Sequence, residues 1–67
     1  MVDYDKLRGK LVEKHLTQSD IAVAIGCSRQ AVSNKMTGKT ALTLRDVTAI
    51  CELMKATPDE RDSIFFA

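Results

Sequence analysis

The sequence predicts an all-α fold built from five short helices. Three observations point there. Apolar residues recur at three- and four-residue spacing, each candidate helix opens behind an Asp, Ser or Thr, and no useful length alternates with the two-residue period of a strand. Sixty-seven residues allow one domain over 1–67 with a single small core, enough for independent folding when helices pack well. A hydrophobic fraction of 45% and a single Pro argue against a disordered tail.

The elements follow in order. Asp3 is a candidate N-cap for a first helix from about Tyr4 to His15, in which Tyr4, Leu7 and Leu11 share one face. Gly9 inside it costs about 1 kcal/mol relative to Ala. Thr17 opens a second helix, Gln18 to Ile25, whose inner face is Ile21, Ala22 and Ile25. Gly26 follows where a left-handed residue would end it. Ser28 caps a third helix from Arg29 to about Thr37, closed by Gly38. A fourth follows Thr43, with Leu44, Val47, Ile50, Cys51 and Met54 expected on its inner side. The fifth begins at Thr57 with Pro58 at the first helical position and Glu60 placed to close a capping box. Its apolar end, Ile64-Phe65-Phe66, must cover the core or a partner.

Charge is more informative by location than by sum. The net charge is +1, but residues 1–45 hold eight basic against four acidic side chains and residues 46–67 hold two against five. A basic front and an acidic rear suit a module that turns one side to phosphates, although scattered solvating charge on helix surfaces fits as well. The only aromatics are Tyr4, Phe65 and Phe66, too few for a base-stacking platform on single strands. Cys27 and Cys51 have no CxxC spacing, and with one His (His15) the chain lacks a metal-ligand cluster. Reduced, packed thiols in a cytoplasmic setting are expected. No apolar run approaches the roughly 20 residues of a membrane span, and no catalytic constellation, cofactor motif or small-molecule site is visible.

The stretch TQSDIAVAIGCSRQAVSNKMTGKT, Thr17 to Thr40, reads as two helices joined by a glycine-led turn, the layout of a helix-turn-helix. On a wheel of the third helix, Val32 and Met36 fall together and face inward. The opposite direction centres on Asn34, with Gln30 and Thr37 beside it and Ser33 and Ala31 on the flanks. Arg29 lies nearer the inner side, yet its long side chain can reach past the helix end. An ordinary surface helix would show Glu and Lys there; this face carries Gln, Asn, Ser and Thr without acid. Gln30 and Asn34 can bind adenine N6 and N7, and Arg29 can bind guanine O6 and N7. The helix starts at Thr17, Gln18 and Ser28 offer free N–H groups to phosphate oxygens. Lys39 and Thr40 are placed to grip a second phosphate run, contacts that fix register without reading sequence.

Leu16-Thr17-Gln18, Ile21-Ala22, Ile25-Gly26, Val32 and Thr37-Gly38-Lys39, followed by a hydrophobic fourth helix, resemble the Cro and repressor (Xre-type, lambda repressor-like) helix-turn-helix family of phages and bacteria. The resemblance covers about Leu7 to Glu60, and the KLRGK opening and IFFA ending are similar to small phage-encoded regulators. It implies a five-helix DNA-binding domain with the motif in helices two and three. It also implies that Gln18 contacts phosphate while bracing a base contact, and that Arg29, Gln30 and Asn34 read bases with Ser33 as a fourth. Thr37 and Thr43 sit where family members often hold phosphate-binding Asn residues. One departure is Lys35, where many members are apolar: either the helix is rotated slightly, or Lys35 runs along its flank to phosphate.

The function expected is a sequence-specific regulator that binds double-stranded operator DNA as a homodimer and blocks transcription. A homodimer would use helix five or form on DNA. The rival from another class is a protein-interaction module of antirepressor type that captures a second regulator. A third reading is the N-terminal domain of a longer repressor.

Overall fold

The structure, a computed structural model, describes residues 1–66. Ala67, the last residue of the IFFA ending, lies outside the described residues. Five α-helices follow in order: α1 (Tyr4–Glu13), α2 (Gln18–Ile25), α3 (Arg29–Met36), α4 (Leu44–Met54) and α5 (Pro58–Phe65). No strand occurs among the described residues, and no helix is long and apolar enough to cross a membrane.

Each helix begins where a short polar side chain replaces a missing intrahelical bond. The side chains of Asp3, Thr17, Ser28, Thr43 and Thr57 accept the backbone N–H three residues on, each a cap of about 1 kcal/mol. Thr57 and Glu60 form the expected capping box. Thr17 with Asp20 and Thr43 with Asp46 form two more, both written in the sequence as T-x-x-D.

The ends differ slightly from expectation. The first helix stops at Glu13 because Lys14 leaves helical geometry and His15 takes a positive φ of 59°. There the His15 N–H bonds to the Val12 carbonyl and the Leu16 N–H to that of Leu11, a closed C-terminal turn. The third stops at Met36, with Thr37 as its cap. Gly26 adopts φ 84° as expected and ends α2.

The core is formed by Leu7 and Leu11 of α1, Ile21 and Ala22 of α2, Val32 and Met36 of α3, Val47, Ile50 and Met54 of α4, and Ile64 and Phe65 of α5. Truncating one of the fully buried members, such as Leu7 or Ile50, would cost about 2–5 kcal/mol. α2 packs on both α3 and α4, while α1 lies against α5. Ala22 is buried in α2, and a small side chain there lets its helix sit close to two neighbours. Leu44 corrects the expected inner face of α4. It is 76% exposed, because the buried arc is centred on Asp46, Val47, Ile50 and Met54. Phe65 is buried and Phe66 is 60% exposed, so the two rings of the tail divide between core and surface.

α1 ties the bundle together with charge as well as packing. Arg8 donates from Nη1 to the Met36 carbonyl at 3.1 Å, and Lys14 donates from Nζ to the Met54 carbonyl at 2.7 Å. Two cations, one on α1 and one at its C-cap, thus close the C-terminal ends of α3 and α4, where carbonyls lack partners and the helix dipole is negative. Lys10 and Lys14 also reach Glu60 of α5 at 3.1 and 3.7 Å. The Asp3 N–H donates to the Ile64 carbonyl at 2.6 Å.

Candidate nucleic-acid interface

α3 presents the face that the sequence singles out. Val32 and Met36 are buried, while Arg29 and Gln30 are exposed and Ser33 and Asn34 half-buried at the flank. Gln30 donates from Nε2 to Asn34 Oδ1 at 3.3 Å across one helical turn. The pair is a pre-aligned strip of amides that keeps the Asn34 amino group and the Gln30 carbonyl oxygen outward-capable. Arg29 makes no ion pair with Asp20 or any other described residue. No acidic residue occurs between Asp20 and Asp46 in the sequence, and the exposed cations beside this strip are Arg29 and Lys39.

The turn after α3 is folded around one acceptor. The Asn34 carbonyl receives the N–H groups of Lys39 at 2.9 Å and Thr40 at 3.2 Å. Gly38 permits this with φ 81°, and a Cβ there would lie 3.6 Å from the ring of Tyr4. The helix exit is therefore braced by α1 from behind, and Lys39 and Thr40 are held next to the amide strip with their side chains uncommitted.

Not every candidate side chain is equally available. The Thr17 hydroxyl donates to Asp20 Oδ2 at 3.1 Å, and the same oxygen takes the Thr17 N–H at 2.9 Å. Thr17 is thus spent on its own capping box. At the start of α2 the Gln18 side chain and the N–H groups of Gln18 and Ser19 have no acceptor among the described residues. The single hydroxyl proton of Thr37 is shared between the carbonyls of Ser33 at 3.0 Å and Asn34 at 3.3 Å, leaving only acceptor lone pairs outward. Ser28 and Thr43 accept helix N–H groups; Ser28 keeps its own proton to donate, while the Thr43 hydroxyl also supports the Asp46 carboxylate.

Lys35 is the clearest revision. Its Nζ lies 2.6 Å from Asp46 Oδ2, with 15% and 8% of the two side chains exposed. Rather than running along the flank to phosphate, Lys35 folds back and locks α3 to the start of α4. Burial pushes the Asp46 carboxyl up, but the Lys35 ammonium and the Thr43 N–H and hydroxyl outweigh it, and the group stays below the usual carboxylate range. Sequence reasoning missed this pair. The signal was the Thr43-x-x-Asp46 box, which places an acid in the first turn of α4 facing the motif.

Neither cysteine is bonded. Burial raises the Cys51 thiol above its ordinary value, against a smaller opposing pull from Arg61, so it is a packed thiol rather than a nucleophile. No group of three His, Cys, Asp or Glu residues among those described could hold a metal ion.

The chain is thus a five-helix domain whose third helix is fixed from behind and open in front. A family model described as "Protein of unknown function (DUF739)" matches residues 1–67, and the chain belongs to that family. No curated protein matches it significantly. The family description names no activity, and the likeness to the Cro and repressor group is a resemblance rather than a membership.

Proposed function

We propose that the protein is a sequence-specific double-stranded DNA-binding regulator that inserts α3 into the major groove. One observation carries the reading: the exposed Gln30 is hydrogen-bonded to the half-buried Asn34 in an amide strip flanked by the unpaired Arg29 and Lys39 and free of acid. Amides on this strip suit adenine edges, and Arg29 suits guanine. In this reading Gln18, with the free N–H groups at the start of α2, and Lys39 with Thr40 grip phosphates on either side of the groove. Ser28 adds a hydroxyl donor, while Thr17, Lys35, Thr37 and Thr43 serve the scaffold. Operator occupancy that blocks transcription, in the manner of the Cro and repressor group that the sequence resembles, is the regulatory consequence.

The test is selection of bound sites from random duplexes at physiological salt. Enrichment of a consensus of a few base pairs per α3 supports the reading, and a palindromic one adds two-fold binding. Affinity that is equal for all sequences, or no retention of duplex at all, overturns it and favours a module that binds another protein.

A further inference from the structure

The outward face of α4 is not explained by the core or by the proposed DNA surface. Arg45 and Glu52 stand seven residues apart near the middle of that face, two helical turns along one stripe. Neither makes an ion pair with any described residue. Between them lie the short side chains of Thr48 and Ala49. Beside the stripe stands Leu44, 76% exposed, next to a shallow groove that Cys51 and the 60% exposed Phe66 help to line.

We infer that this face pairs with the same face of a second copy of the chain, α4 running antiparallel to α4 about a two-fold axis. An isologous contact requires a surface complementary to itself, and the charge order along α4 supplies one. When two such helices run antiparallel with Thr48 opposite Ala49, Arg45 of each copy meets Glu52 of the other, giving two equivalent ion pairs. The small residues at the centre allow the helix axes to approach closely. The rotation keeps both Leu44 flanks on one side of the pair, where each leucine meets the Cys51–Phe66 groove of the other copy. The inference stands apart from DNA binding, since it concerns a different helix and is measured without nucleic acid.

Sedimentation equilibrium of the full chain, free of DNA, at roughly 0.1–1 mM tests it. The wild type should form dimers in that range. Arg45→Glu and Glu52→Arg should each weaken self-association about tenfold or more, because two attractions become two repulsions. An equimolar mixture of these two variants should regain dimers, since each supplies the charge that the other lacks. The double variant R45E/E52R should dimerise like the wild type. Both reversals put acid near the start of α4 and base near its end, as the helix dipole prefers, so thermal melts should show all variants folded. A wild type that stays monomeric, single variants that associate as well as the wild type, or a mixture no better than its components would overturn the pairing.

Discussion

Lys35 and Asp46 form a largely buried ion pair, Nζ to Oδ2 at 2.6 Å, between the third helix and the first turn of the fourth. The same carboxylate oxygen takes the Thr43 N–H at 3.0 Å, so one acid both caps α4 and anchors α3. Removing the lysine strands a buried charge. Lys35→Met should therefore destabilise the fold by about 3 kcal/mol, the low end for a broken buried pair, read by urea denaturation. Adding Asp46→Asn in the same chain should recover part of that loss, because the amide can still accept from Thr43 without needing a cation. A double variant no more stable than Lys35→Met would show that the two groups are not coupled.

Acid should loosen the molecule through two carboxylates. The Thr57 N–H and then Lys10 pull Glu60 from an ordinary value of 4.5 down to about 2, and Asp46 is lowered as well. A group with a depressed folded value binds its proton more readily when unfolded. Its stabilisation is complete above the unfolded value and disappears as pH falls through the folded one. Melting temperature should then hold from pH 7 to about 5 and decline from about 4.5 toward 2. Glu60→Gln should start lower and decline less. Lys10, raised above 10.5 by Glu60 and Glu13, gives the mirror effect, with stabilisation lost as pH climbs past that value.

Arg8→Ala and Lys14→Ala should each cost about 1–2 kcal/mol by leaving helix-end carbonyls without their cationic donors. Hydrogen exchange should report the location. Arg8→Ala should speed exchange in the last turn of α3, and Lys14→Ala in the last turn of α4. Uniform acceleration across all five helices would mean that neither contact acts locally.

Glycine tests separate fit from conformation. A Cβ on Gly9 would meet nothing within 4 Å, and the residue is exposed within α1, so Gly9→Ala should stabilise by about 0.5–1 kcal/mol. Gly26 has equal room but sits at φ 84°, and Gly26→Ala should destabilise by about 1–2 kcal/mol. Thermal melts with opposite signs at the two sites would confirm that backbone angle, not space, decides.

For the proposed DNA binding, Gln30→Ala should cost about 1–3 kcal/mol on a selected site and relax base preference there. Lys39→Ala should weaken all duplexes alike and lower the salt slope by about one. Equal behaviour of both variants on selected and random DNA would break the division of roles.

Much of this architecture was legible in the sequence because caps and glycines act locally. Thr17, Ser28, Thr43 and Thr57 mark helix starts by a bond three residues long, and Gly26 marks an end by its own φ. Leu44 was misassigned because one apolar residue at a helix start satisfies the spacing without lying in the buried arc. The Lys35 pair is invisible to the expectation of a rotated helix or a flank route to phosphate, because its acid is 11 residues away in sequence and periodicity carries no information about contacts between helices. The same blindness hid Arg8 and Lys14, whose partners are carbonyls. A carbonyl has no side-chain signature, so no residue type announces it. For the candidate interface, sequence placed Gln30 and Asn34 outward, but which hydroxyls still hold a free proton emerged only from the geometry of their own caps.

The outward side chains of α3 are released from structural duty. Ser28 starts the helix, Val32 and Met36 seat it, Lys35 pins it and Arg8 finishes it, so Arg29, Gln30, Ser33 and Asn34 can be exchanged without disturbing any of those fastenings. Under the proposed DNA reading, a lineage of such chains would drift toward new targets by altering four neighbouring codon positions, while its thermal tolerance is inherited almost unchanged.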